Sequence, residues 1–148
     1  VMGVFHPDLV GIQARVLQRL GSRRVMIVHG LEGLDELSIS GPTAVGELKN
    51  GEVREYMVAP ADVGLKSHNN AAIRVEGVEQ SREMLLGALE NRPGAARDIV
   101  ALNAGASIYV AGLAPTLLEG VARAQLVLES GAARRKLDEF VAFTKTHV

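Results

Sequence analysis

Two adjacent carboxylates, Asp35 and Glu36, are the side chains of this sequence best placed to do chemistry. They stand in the stretch His29-Gly30-Leu31-Glu32-Gly33-Leu34-Asp35-Glu36-Leu37-Ser38, which two glycines bend. On a regular strand, neighbouring side chains point to opposite faces, and on a helix they lie about 100° apart. On a glycine-bent loop they can converge. Two hard oxygen donors suit Mg²⁺, which usually keeps several waters and bridges to a substrate phosphate. The same pair also reads as a solvated acidic turn, or as Asp35 capping a helix that begins near Glu36. Spacing alone leaves these readings open.

The other polar candidates have plainer readings. His29 ends the apolar run Val25-Met26-Ile27-Val28, with no second histidine or cysteine at ligand spacing, so a backbone bond at the strand end is expected. His6 reads as helix-start polarity, His68 falls in an uncertain loop and His147 in the tail. Asn103 lies inside an apolar helix and must find partners for its amide; bonding to a nearby loop is expected. Arg97-Asp98 reads as a surface pair or as a tie to another element. Arg134-Arg135-Lys136 reads as a solvated face. Phosphate-loop, dinucleotide and nucleophile-elbow patterns are absent, as is any Cys/His metal pattern. A two-acid metal clamp with no phosphate cradle is half a site.

The elements that must position the pair follow from periodicity. Val1 to Phe5 reads as a short strand. Pro7 opens a helix, whose face is Leu9, Ile12, Val16, Leu17 and Leu20, and Gly21 ends it. Val25 to Val28 is the next strand. Strand, helix, strand with short connections is a βαβ unit with parallel strands and a right-handed crossover. The Asp35-Glu36 loop then leaves the C-terminal end of a strand, the edge where open α/β sheets bind ligands. Thr43 to Leu48 and Glu52 to Val58 flank Asn50-Gly51, a hairpin signal. Pro60 starts a helical turn, and Lys66 to Val78 reads as a loop. Helices are expected from Ser81 as N-cap, over Ala95 to Ala111, from Pro115, and after Ser130-Gly131 with Leu137, Phe140 and Val141 as the core stripe.

Composition bounds the class. The 148 residues suffice for one domain with a core, and a net charge of −1 does not point to nucleic acid or an anionic membrane as partner. Aromatic residues make up 3% and tryptophan is absent, which disfavours base-stacking surfaces. No cysteine means no disulfide framework, in keeping with a reducing compartment. No run approaches the roughly 20 apolar residues of a transmembrane helix. The opening has no signal-peptide pattern and reads as a strand in progress, so an upstream part is expected.

Four segments in this order and spacing carry a resemblance. They are Arg23 to Ser38 (RRVMIVHGLEGLDELS), Gly46 to Leu65 (GELKNGEVREYMVAPADVGL), Pro93 to Gly112 (PGAARDIVALNAGASIYVAG) and Leu117 to Val141. With the opening GVFHPDL, they resemble the C-terminal half of the anthranilate phosphoribosyltransferase family, within the wider nucleoside phosphorylase and phosphoribosyltransferase group. The His-Gly-x-x-Gly-Leu-Asp-Glu loop is the most specific part.

The resemblance implies an α/β fold: a mainly parallel sheet flanked by helices with an antiparallel hairpin. Residues 1–148 would form the C-terminal part of the α/β glycosyltransferase domain. The helical domain, the phosphate loop and the phosphate and anthranilate contacts would lie upstream. It further implies a cytoplasmic enzyme of tryptophan biosynthesis that is a homodimer when complete. Such an enzyme joins anthranilate to phosphoribosyl pyrophosphate with Mg²⁺, and this portion alone would be inactive. Asp35 and Glu36 match the family's metal pair. The chemistry fits a chain with no triad and no cysteine: the amine of anthranilate is itself the nucleophile.

Overall fold

The computed structural model describes residues 1–146; His147 lies outside the described residues. Four strands form one sheet in the order β1 (Met2–Gly3), β2 (Val25–Gly30), β3 (Thr43–Lys49), β4 (Glu52–Val58). Five α-helices are α1 (Leu9–Arg19), α2 (Val78–Leu89), α3 (Ala95–Val110), α4 (Leu117–Glu129) and α5 (Ala132–Lys145). Short 3-10 turns span Pro60–Val63 and Asn70–Ile73.

The α/β class and the βαβ start hold, with β1 parallel to β2. The sheet is mixed rather than mainly parallel: β2–β3 and β3–β4 are both antiparallel. The reason is the hairpin. Asn50 (φ 54°) and Gly51 (φ 81°) both take the left-handed region that a two-residue turn between twisted strands needs. The hairpin forms one edge of the sheet, with β3 paired to β2 from Thr43 to Leu48.

The alternation of β2 sorts the core into two layers. Met26 and Val28 face α3 and α4, joining Leu102, Ala106 and Val121. Ile27 faces α1, joining Val4, Val10 and Ala14. Gly46 of β3 lets α1 come close: a Cβ there would stand 2.7 Å from the Val10 carbonyl oxygen. Helices α3 and α4 approach closer still at Gly105, where a Cβ would lie 2.5 Å from Val121 Cα.

Two helix boundaries, and the burial of a third helix, differ from expectation. Helix α2 begins at Val78 behind Gly77, and Ser81 is an interior residue, not the cap. Helix α4 starts at Leu117; Thr116 caps it by accepting the Glu119 N–H at 3.2 Å, and Pro115 precedes the cap. Helix α5 buries no residue fully, and Phe140 is 61% exposed, so its apolar stripe is not core within this chain. The Arg134–Lys136 cluster is paired rather than merely solvated, with Arg134 bonded to Glu90 and Asp138 and Lys136 to Glu139. No helix among the described residues is long and apolar enough to cross a membrane.

Candidate active-site loop

The segment 31–42 connects β2 to β3 at the edge where β1 and β2 both end. It turns back at once. The Gly30 N–H donates to the Leu34 carbonyl at 2.8 Å, and the Gly33 N–H to the Gly30 carbonyl at 2.8 Å. Gly33 takes φ 100°, which a side chain would resist.

Beyond this turn, a buried run from Leu37 to Ile39 decides where the carboxylates go. Leu37 and Ile39 are fully buried among Met26, Val28 and Leu102. Burying each contributes about 1.5–3 kcal/mol, which offsets the ordering of the loop. Asp35 and Glu36, just before the first anchor, remain exposed. Among the described residues, neither carboxylate takes a hydrogen bond or an ion pair. Asp35 does not cap a helix, because none begins there.

Two contacts fix the backbone on the two flanks of the pair. On one, β1 packs so tightly that a Cβ on Gly3 would stand 1.5 Å from the Asp35 carbonyl oxygen. On the other, Asn103 of α3 grips Leu37. The Leu37 N–H donates to Asn103 Oδ1 at 3.0 Å, and Asn103 Nδ2 donates to the Leu37 carbonyl at 3.0 Å and to the Ile99 carbonyl at 3.1 Å. The amide thus stands in for a strand partner. Leaving either polar group of buried Leu37 unpaired would cost about 1–3 kcal/mol.

The far side of the loop closes on a second network. The Ser38 N–H donates to Thr43 Oγ1 at 2.9 Å. Glu32 Oε1 accepts from the Ser38 hydroxyl, the Ser40 hydroxyl at 2.7 Å and Asn70 Nδ2 at 3.1 Å. The His68 N–H donates to the Ile39 carbonyl at 2.9 Å, and its ring donates through Nε2 to Asp98 Oδ2 at 2.8 Å. Asp98 is buried and also accepts from Arg97 Nε at 2.8 Å. Helix α3 therefore holds the loop twice, directly through Asn103 and through Asp98 and His68.

The histidines do the structural work expected of them. His29 is buried and donates through Nδ1 to the Val4 carbonyl at 2.7 Å, tying β2 to the end of β1. His6 Nδ1 accepts the Asp8 N–H at 3.2 Å at the start of α1. Glu32 and Gly3 were not singled out by sequence reasoning. A glycine inside an apolar strand signals close backbone approach, so Gly3 was findable; Glu32 carried no comparable signal.

No group of three or more His, Cys, Asp or Glu side chains converges among the described residues. A cation held here would find two carboxylate donors, Asp35 and Glu36, on the protein side. That set fits an ion that takes few protein ligands and fills its shell with water and phosphate oxygens.

Residues 1–134 match the model of the glycosyl transferase family, a/b domain. The anthranilate phosphoribosyltransferase of Aromatoleum aromaticum is 56% identical over 145 residues, covering 98% of this chain and 42% of the relative. That of Laribacter hongkongensis is 58% identical over 144 residues, covering 97% and 42%. The crystal structure of the Thermus thermophilus anthranilate phosphoribosyltransferase superposes with a TM-score of 0.89 at 41% identity, over 98% of this chain and 43% of that one. A Saccharomyces cerevisiae anthranilate phosphoribosyltransferase in complex with PRPP and Mg shares the fold, with a TM-score of 0.83 at 22% identity, over 97% of this chain and 42% of that one. The chain spans less than half the length of the relatives it matches. From the match over most of its length, this chain belongs to the glycosyl transferase family as its a/b domain.

Proposed function

We propose that the full-length protein transfers the phosphoribosyl group of phosphoribosyl pyrophosphate to anthranilate. The products are N-(5-phosphoribosyl)anthranilate and pyrophosphate, and Asp35 and Glu36 hold the Mg²⁺ that the reaction uses. The observation that carries the reading is the unpartnered Asp35-Glu36 pair at the C-terminal edge of β1 and β2. It sits on a domain 56% identical to anthranilate phosphoribosyltransferases. A related yeast enzyme was crystallised with PRPP and Mg, in line with this metal.

The chain's own residues supply position and charge. Displacing pyrophosphate from the ribose C1 builds positive charge on the sugar and negative charge on the leaving group. Asp35 and Glu36 would hold the Mg²⁺, which would supply charge neutralisation for that leaving group. Asp35 and Glu36 hold two negative charges at a fixed place on the sheet edge. Leu37, Ile39, Gly3 and Asn103 keep them there, so little reorganisation accompanies the reaction. The nucleophile is the anthranilate amine, and no side chain of this segment is asked to attack. The sugar, phosphate and anthranilate contacts are assigned to the rest of the protein. The same proposal carries tryptophan biosynthesis, a cytoplasmic setting and a homodimer, as the family resemblance implies.

The assay is the loss of anthranilate fluorescence with phosphoribosyl pyrophosphate and Mg²⁺, in the full-length protein. Wild type should consume anthranilate. Asp35→Ala and Glu36→Ala should lower turnover by orders of magnitude while circular dichroism stays unchanged. A folded wild-type protein that leaves anthranilate untouched would overturn the reading.

A further inference from the structure

Asn103 makes an arrangement that its neighbours in α3 do not. Its amide pairs with both backbone polar groups of Leu37, the residue directly after Glu36, at 3.0 Å each. A third bond, Nδ2 to the Ile99 carbonyl at 3.1 Å, locks the amide to its own helix. That third bond also fixes which way the amide faces, because a flipped amide would set its oxygen against two carbonyls.

The packing of Leu37 and Ile39 holds the loop down but does not by itself fix how the backbone at Leu37 is turned. The paired bonds to Asn103 remove that freedom, because a two-point amide pairing has one geometry. The residue so fixed is covalently joined to Glu36. On the other flank of the pair, the Gly3 backbone lies against the Asp35 carbonyl. Helix α3 is an internal reference for the pair, since Gly105 on the same helix packs directly against the backbone of Val121 in α4.

We infer that Asn103 is a positioning residue for the metal pair, setting the aim of Asp35 and Glu36 and hence the affinity for a divalent cation held with pyrophosphate. This rests on the metal reading of Asp35 and Glu36. Groups that orient metal ligands typically account for about 10–100-fold in metal affinity.

The test is Mn²⁺ binding to the full-length protein in the presence of inorganic pyrophosphate, followed by electron paramagnetic resonance. Asn103→Ala should weaken Mn²⁺ binding by about tenfold or more. Asn103→Gln keeps the amide but lengthens its reach by one methylene, so it should also weaken Mn²⁺ binding, and it serves if the alanine variant does not fold. Leu128→Ala is the control, a core truncation in the separate cluster of Ala101, Ala124 and Leu128. It should lower the melting temperature and leave Mn²⁺ binding unchanged. Wild-type binding in the folded Asn103 variants, or an equal loss in Leu128→Ala, overturns the inference. Asp35→Asn and Glu36→Gln separate the two readings. If they lose Mn²⁺ while the Asn103 variants keep it, the positioning role alone fails. If they bind like wild type, the metal pair fails and takes the positioning role with it.

Discussion

Gly3→Ala in the full-length protein puts a methyl group where the structure has no room for one. The new Cβ would stand 1.5 Å from the Asp35 carbonyl oxygen and 2.4 Å from its carbonyl carbon. Ordinary contact begins at 3.4 Å, so the two backbones must part by about 1.9 Å. Both obstructing groups are main chain, and no rotamer relieves the clash. The loop is anchored by Leu37, Ile39 and Asn103, whereas β1 is a two-residue edge strand. The strain therefore divides between a displaced edge and a displaced Asp35. Overpacking of this kind costs about 1–3 kcal/mol of stability. A catalytic group misplaced by about 1 Å can cost about 100-fold in rate. The expected result is a folded variant whose turnover, by anthranilate fluorescence, falls about 100-fold, with a raised Mg²⁺ requirement. Gly77→Ala is the companion: no atom lies within 4 Å of its Cβ position, and turnover should match wild type. Wild-type turnover in Gly3→Ala at limiting Mg²⁺ would refute the claim that β1 sets the position of Asp35.

Two further outcomes follow from packing and from charge. Gly105→Ala would place a Cβ 2.5 Å from Val121 Cα and 2.6 Å from its nitrogen, so urea denaturation should show a loss of about 1–3 kcal/mol or more; an unchanged midpoint would contradict the close α3–α4 approach. The Tyr56 hydroxyl donates to Glu47 Oε2 at 2.9 Å, and burial together with Glu47 pushes its pKa above the ordinary tyrosine value. A raised folded pKa means the associated stability is full below about pH 10 and is lost as pH climbs beyond it. Tyr56→Phe should flatten that alkaline decline in urea midpoint, and an identical decline would refute the assignment.

The α/β class, the βαβ start and the Asn-Gly hairpin were legible because each rests on local signals: apolar runs, helical spacing and a left-handed turn. The strand partnership of β3 was not, since nothing local says whether a hairpin pairs with the sheet or stands outside it. Phe140 and Val141 show the same limit. Their spacing marks an apolar helix face, but what covers it is a tertiary matter. Ser81 is a good cap by residue type, yet α2 starts three residues earlier, behind Gly77. At the site, the two carboxylates and the glycines that bend their loop could be read directly. Asn103 was read correctly as a residue bonding to a loop, but its partner, Leu37, lies 66 positions away. The Glu32 and Asp98–His68 networks likewise join distant segments, which no spacing announces.

The central claim is that Asp35 and Glu36 hold the metal on the departing pyrophosphate. It is tested most directly by the turnover of Asp35→Asn and Glu36→Gln in the full-length protein across a Mg²⁺ titration. These substitutions remove charge and keep shape, so folding is preserved. The account predicts turnover lowered by orders of magnitude at limiting Mg²⁺ in both variants, with partial recovery as Mg²⁺ rises. Near-normal turnover of both at limiting Mg²⁺ would contradict it.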